Sequence, residues 1–355
     1  MKQRWTIGIG LVLSAAFLYI AARGAHLDRM AQALASANYA YMVPCVVLTL
    51  FAFWIRAVRW RFLLHSVRPI PLGIVFSATM IGFLANNVLP ARLGELVRAH
   101  VVGRRASISR SAALASIIIE RIFDLFTLLA LFALVALVSR LPRGLDRVAL
   151  CALAAGAVTL ILLLIWNRHP DPFVRWMLRI VPSRARGRAS DLASGFREGL
   201  RVFDSAAHLL AVGMLSLLFW AGILCVMWLC MRAISIQAPQ PEASMVAVVG
   251  IALVTMVPSA PGFIGTMQGG GTLALQVFGV PKEQALAFSI IFHATQWVPV
   301  NLVGAVYLFR EGLSLGQLSR MAHSEGQAGV ARPDRVGGTS PSGSDRRAEA
   351  GSDDP

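Results

Sequence analysis

The sequence predicts an all-α integral membrane protein of about six full transmembrane helices and two re-entrant helical hairpins, in an order that reads as an inverted repeat. Three observations carry that expectation. Of 355 residues, 56% are hydrophobic and only 14% charged, too few charges to cover a soluble globular surface. Seven stretches contain no Asp, Glu, Lys or Arg, and each has the length that a bilayer core of about 30 Å asks of a helix, or close to it. Two of the seven, however, cannot be read as simple crossings.

The uncharged stretches are Trp5–Ala22, Met30–Ile55, Pro69–Ala91, Val148–Asn167, Ser205–Met231, Ala243–Pro281 and Gln284–Phe309; an eighth, Ser111–Ser139, carries three charges near its start. The first is too long for a secretory h-region, and no small-x-small cleavage site follows it. Thirty-three Lys+Arg against 18 Asp+Glu leave a formal charge of +15, distributed as basic loops rather than as a nucleic-acid face. Arg56, Arg59, Arg61 and Arg68 form one such loop, and eight Arg against four acids lie between Arg168 and Asp204. Both belong on the cytoplasmic side. A full crossing by Pro69–Ala91 would then put Arg98, Arg104, Arg105 and Arg110 outside, so that stretch is expected to dip into the membrane and return.

Ala243–Pro281 poses the matching problem: its 39 residues would make about 58 Å of straight helix. Pro258, Pro261, Gly262, Gly265 and the triplet Gly269, Gly270, Gly271 are expected to break it into a second re-entrant hairpin, entering from the opposite side. Phe173, Trp176, Met177 and Ile180, and again Leu192, Phe196, Leu200 and Phe203, recur at helical spacing and suggest interfacial helices. The division is residues 1–316 as membrane domain and 317–355 as a disordered cytoplasmic tail of Gly, Ser, Pro, Asp and Arg. Cys45, Cys151, Cys225 and Cys230 lie in apolar stretches without metal-binding spacing, and no cofactor is expected.

Six charges fall where the hydropathy expects membrane: Arg92, Glu95 and Arg98 beside the first hairpin, and Glu120, Arg121 and Asp124 in the next span. Facing lipid, they would cost on the order of 15 to 20 kcal/mol together. They must face protein, water or a polar ligand. Arg92, Glu95 and Arg98 are spaced as one helical stripe; Glu120 and Asp124 as another, and the two could meet. Forked guanidinium donors suit an anionic phosphate, while the carboxylates could hold those arginines, a cationic group or a proton. A closed ion-pair network that only pins the hairpin is the structural alternative. Asn86 and Asn87 precede the stripe as candidate cradle amides. In the second hairpin Pro261, Gly262 and Gly265 free backbone groups that Gln268 could cap, and His293, Gln296 and Trp297 lie within one turn of the last span, followed by Pro299 and Asn301.

These segments also carry a resemblance. NNVLPARLGELVRA (Asn86–Ala99), IIERIFDL (Ile118–Leu125) and VPSAPGFIGTMQGG (Val257–Gly270), in that order, resemble the lysylphosphatidylglycerol synthase transmembrane family, also called flippase-like proteins, over roughly residues 5–312. The resemblance implies a flippase-like role in moving an anionic or aminoacylated phospholipid, or a lipid-linked precursor, between leaflets of the bacterial inner membrane, with both termini cytoplasmic. The family's hairpin commonly reads PGGLG followed by a Glu, whereas this chain has Phe263 at the second Gly and Gln268 at the acid. That departure weakens the case for a cationic lysyl headgroup and leaves another lipid or a lipid-linked sugar equally open. Expected partners are therefore a membrane phospholipid or lipid-linked substrate, with a second copy of the chain or a lipid-modifying enzyme also open, and no nucleic acid. A transporter is expected rather than an enzyme. No GxxxxGK[ST] loop occurs, so ATP is not the expected driving force, and Glu95 or Asp124 are candidates for proton coupling. Two alternatives stay open: a membrane-embedded transferase acting on phospholipid or polyprenyl-phosphate headgroups, and a non-transporting partner of an envelope-lipid complex.

Overall fold

The computed structural model describes residues 2–65, 67–89, 93–138, 205–256, 259–314 and 316–318, with scattered positions between 144 and 194. Among the described residues the chain is helical, without strands. Helix α1 (Lys2–Ala22) leads into α2 (Leu27–Ala35), bent from it by 86°. A 3₁₀ turn at Tyr39–Tyr41 opens α3 (Met42–His65), so the second crossing is displaced towards the C-terminus from the uncharged stretch Met30–Ile55. Asn38 fixes that start: its side-chain oxygen accepts the Ala40 N–H at 3.1 Å, and its own N–H donates to Ala233 O at 2.8 Å. The C-terminal extension carries Arg56 and Arg59 into the interior, which corrects their assignment to a cytoplasmic loop.

The first hairpin is α4 (Leu72–Val88) and α5 (Gly94–Ala106), followed by α6 (Arg110–Val138). Helix α7 (Ala206–Ala233) precedes the second hairpin, made of α8 (Glu242–Met256), a 3₁₀ turn at Pro261–Phe263 and α9 (Thr266–Gln276); α10 (Lys282–Arg310) closes the membrane domain. Three segments among the described residues, Tyr39–His65, Ala206–Ala233 and Lys282–Arg310, are long and apolar enough to cross a bilayer, and the bent α1–α2 pair makes a fourth if it is one broken span. Of the expected span Val148–Asn167 only Leu150, Cys151 and residues 154–158 are described, as helix, and the residues that suggested the two interfacial helices and nearly all of the tail lie outside the described residues.

Interhelical contacts sort the helix ends onto two opposite faces. On one, Arg68 donates to Ala106 O at 3.0 Å, Ser77 to Glu311 at 2.9 Å, and the His65 and His208 rings lie 5.6 Å apart. On the other, the His26 N–H donates to Glu283 at 3.0 Å and Lys282 to Arg23 O at 2.7 Å. The first hairpin therefore opens on the face where α3 and α10 end, and the second on the face where they begin. Their tips meet between: Asn87 Nδ2 donates to Asn301 Oδ1 at 3.1 Å, and Gly262 lies against Asn87 and Trp297. Trp297 and Asn301 stand near the middle of the 29-residue α10, a rod of about 43 Å.

Both hairpins return in the same way. In the first, the Gly94 N–H donates to Asn86 Oδ1 at 2.8 Å; in the second, the Gly265 N–H donates to Gln268 Oε1 at 2.7 Å. A side-chain amide thus satisfies a backbone donor that the returning helix leaves unpaired at its start. The triplet Gly269–Gly271 does not break the helix, contrary to the sequence expectation, but lies inside α9. Successive residues point about 100° apart, and each glycine admits a different neighbour: a Cβ would stand 2.9 Å from Phe17 Cδ1 at Gly269, 3.0 Å from Gly250 O at Gly270, and against Ser289 at Gly271. Helices α1, α8 and α10 close on α9 because those side chains are missing. Gly270→Val is expected to lower stability by about 1 to 3 kcal/mol through overpacking, seen as a lower unfolding midpoint in detergent. Gly73→Ala, where nothing lies within 4 Å, should leave it unchanged.

Candidate functional site

Three helices bring a charged cluster together. Arg56 and Arg59 come from α3, Arg98 from α5, Glu120 and Asp124 from α6, and all are buried, with 0 to 7% exposure. Arg56 Nε lies 2.7 Å from Glu120 Oε1 and its Nη2 2.8 Å from Asp124 Oδ2. Arg59 Nη2 reaches Asp124 Oδ1 at 2.7 Å and Glu120 at 3.4 Å, and its Nη1 donates to Ser216 of α7 at 2.8 Å. Arg98 Nη2 meets Glu120 Oε2 at 2.7 Å. The two charge stripes of α5 and α6 do meet, therefore, but with α3 threaded through them.

Aromatic faces complete the shell. The Arg56 guanidinium carbon is 5.0 Å from the Phe83 ring centroid and 5.1 Å from that of Phe219, while Arg98 stacks at 3.6 Å on Trp60. Such contacts hold a cation where solvent does not reach. Trp60 is itself fixed by its N–H to Ser116 Oγ at 2.9 Å. At the rim, Arg121 and Glu95 pair at 3.3 Å with side chains 42% and 29% exposed, and Arg121 also approaches Asp124 at 3.6 Å.

Counting the rim pair, four guanidinium groups among the described residues face three carboxylates, leaving one positive charge in surplus. The surplus has free donors: Arg98 Nε, Arg98 Nη1 and Arg59 Nε are buried with no hydrogen-bond partner and no ion pair. Unsatisfied buried donors cost about 1 to 3 kcal/mol or more each, and donation to an anion is the chemistry such groups can do. Asp124, expected as a proton-coupling group, has both carboxylate oxygens on guanidinium nitrogens.

The remaining expected residues take a second place, at the hairpin tips. Pro261 begins the 3₁₀ turn, and Gly262 and Gly265 hold φ of 72° and 88°. Phe263, standing where the family pattern has glycine, holds φ 59°, the left-handed region that costs an ordinary residue about 1 to 2 kcal/mol. Gln268 spans the turn, accepting from Gly265 through Oε1 and pairing through Nε2 with His293 Nδ1 at 3.0 Å. Ser14 of α1 accepts the Ala260 N–H at 2.7 Å. Asn86 and Asn87 are committed to the Gly94 and Asn301 contacts. Arg92 lies outside the described residues, and with α5 beginning at Gly94 the stripe on one helix holds for Glu95 and Arg98 alone. Among the described residues no three His, Cys, Asp or Glu side chains gather as a metal-binding set.

Sequence reasoning missed Arg56, Arg59 and Ser216. The signal was present: Phe53, Arg56, Trp60, Leu63 and Leu64 share helical spacing with Arg59, so an apolar face continues through the arginines. Arg61, off that face, is exposed.

Re-entrant hairpins meeting at mid-bundle beside a sheltered charge cluster define a polytopic α-helical membrane protein. The chain matches the lysylphosphatidylglycerol synthase TM region over residues 7–304 and belongs to that family. It is 25% identical over 330 residues to a UPF0104 membrane protein of Methanothermobacter thermautotrophicus, covering 88% of this chain and 96% of that one. A 31% identity over 157 residues links it to the glycosyltransferase AglD of Haloferax volcanii, covering 44% of this chain but only 25% of AglD.

Glu120 neutralises three guanidinium groups at once. Glu120→Ala should therefore destabilise the protein by about 3 to 5 kcal/mol, the cost of stranding buried charge. Removing Arg105, whose 54%-exposed side chain pairs with Glu311 at 3.4 Å, should cost no more than about 1 kcal/mol. Thermal unfolding in detergent checks both.

Proposed function

We propose that the protein is a lipid translocase, moving an anionic or aminoacylated phospholipid or a lipid-linked precursor between leaflets of the bacterial cytoplasmic membrane. The observation that carries this reading is Arg98: a fully buried guanidinium with two unpaired nitrogen donors, beside carboxylates that other arginines already neutralise. A network needed only for packing has no use for a surplus cation. Two hairpins reaching mid-bundle from opposite faces support the reading, because discontinuous helices with paired breaks are how transporters place polar backbone at the membrane midplane. Family membership supports it as well. The face bearing Arg68, Arg104, Arg105 and Arg310 is then cytoplasmic by the positive-inside rule.

The transferase reading draws on AglD, which is named a glycosyltransferase. The match covers a quarter of that protein, so the shared part is the lesser share of its length.

Arg98→Ala leaves the buried charges balanced, two guanidinium groups on two carboxylates, so the variant should fold. In vesicles carrying headgroup-labelled lipid it should abolish leaflet exchange, while Arg105→Ala should retain it; exchange unchanged in Arg98→Ala removes the site from the translocation path. A covalently altered lipid found by mass spectrometry would instead favour the transferase. Reporter fusions test the orientation: one at Arg104 should read cytoplasmic and one at Lys282 periplasmic.

A further inference from the structure

The buried carboxylates of the cluster are already taken up by guanidinium groups. Glu120 Oε1 lies on Arg56 and Arg59 and its Oε2 on Arg98; Asp124 Oδ1 lies on Arg59 and its Oδ2 on Arg56 and Arg121. No oxygen of these two carboxylates is left to receive an ammonium group, and the surplus charge repels one. Glu120 Oε2 and Asp124 Oδ1 make no hydrogen bond but lie on guanidinium nitrogens, so among the described residues the buried groups with neither hydrogen bond nor ion pair here are donors, Arg98 Nε and Nη1 and Arg59 Nε. A phosphate matches that set, since guanidinium forks suit its oxygens.

Among the described residues the cluster comes nearest the surface on the α6 side, at Arg121. On α6, Ile118 and Leu125 are 42% and 37% exposed, and they lie three residues before and four after Arg121, on the same helix face. In a membrane protein an exposed apolar stripe faces acyl chains. The half-exposed Arg121, paired to Glu95 at 3.3 Å, interrupts that stripe and is the described part of the cluster nearest lipid. We infer that the guanidinium cluster receives, from the side and past the Glu95–Arg121 pair, a lipid whose headgroup carries a phosphate and no cationic group. The inference rests on the translocase reading for its setting and narrows the aminoacylated option out of the substrate class.

The test is native mass spectrometry of the purified full chain with equimolar phosphatidylglycerol, lysylphosphatidylglycerol and phosphatidylethanolamine. The first two share a phosphate and differ in the ammonium groups. Phosphatidylglycerol should be retained over lysylphosphatidylglycerol by about tenfold or more, as the difference of two unit charges between them at a partly buried site requires. Glu95→Gln adds to the surplus and should raise that ratio; Arg121→Gln removes the surplus and should lower it. Both sit at the exposed rim, so folding is retained. Equal retention of the two lipids, or both variants shifting the ratio in one direction, overturns the proposal. Glycerol phosphate, the soluble source of the same chemistry, should not displace the lipid; displacement overturns lateral access. Selective binding without leaflet exchange would contradict the translocase reading while this inference stands.

Discussion

The cluster of Arg56, Arg59 and Arg98 around Glu120 and Asp124 is the constraint on which the first half of the fold depends. Each of these groups would be costly facing lipid, and each is tolerable only where it stands because the others are within 2.7 to 3.4 Å. Helix α3 can carry two arginines inward because α6 presents two carboxylates one turn apart. Helix α5 can return from the membrane interior because Arg98 finds Glu120 and the face of Trp60. A buried ion network is weak evidence of net stability, but it is strong evidence of register: sliding α3 against α6 by one turn would strand charge.

The hairpins solve the complementary problem, that of turning a backbone inside a membrane. Unpaired amides are expensive there, and each hairpin answers with a side-chain amide, Asn86 for Gly94 and Gln268 for Gly265. The tips then secure one another through Asn87, Gly262, Trp297 and Asn301 rather than facing lipid. Glycine serves two distinct purposes in α9 and its approach. Gly262 and Gly265 supply positive φ, while Gly269, Gly270 and Gly271 supply absence of bulk to three neighbours. Phe263 shows the first purpose persisting without the residue that usually serves it.

The surplus guanidinium joins fold to chemistry. A packing network could have ended in neutrality; this one ends with unpaired donors on Arg98 at its centre and a half-exposed pair, Glu95 with Arg121, at its edge. The same electrostatics that hold the helices together leave those donors unpaired among the described residues, which is the ground of the proposed anion site.

Much of the design was legible in the amino-acid order. Uncharged runs marked the helices, Arg placement required Pro69–Ala91 to turn back, and the prolines and glycines of 258–265 marked a second break. Charges at Glu95, Arg98, Glu120 and Asp124 announced a polar interior, because composition and local spacing report what a segment can face. Partnership is another matter. Arg56 and Arg59 read as a loop because hydropathy counts a charge without knowing that a carboxylate some 60 residues further on will neutralise it. The glycine triplet read as a breaker because its value lies in what approaches it. The sequence by itself determined which segments are apolar enough for a membrane and where two of them break; only the tertiary structure decided that the described charges of the cluster sum to one cation too many, since that balance is a sum over helices distant in the chain.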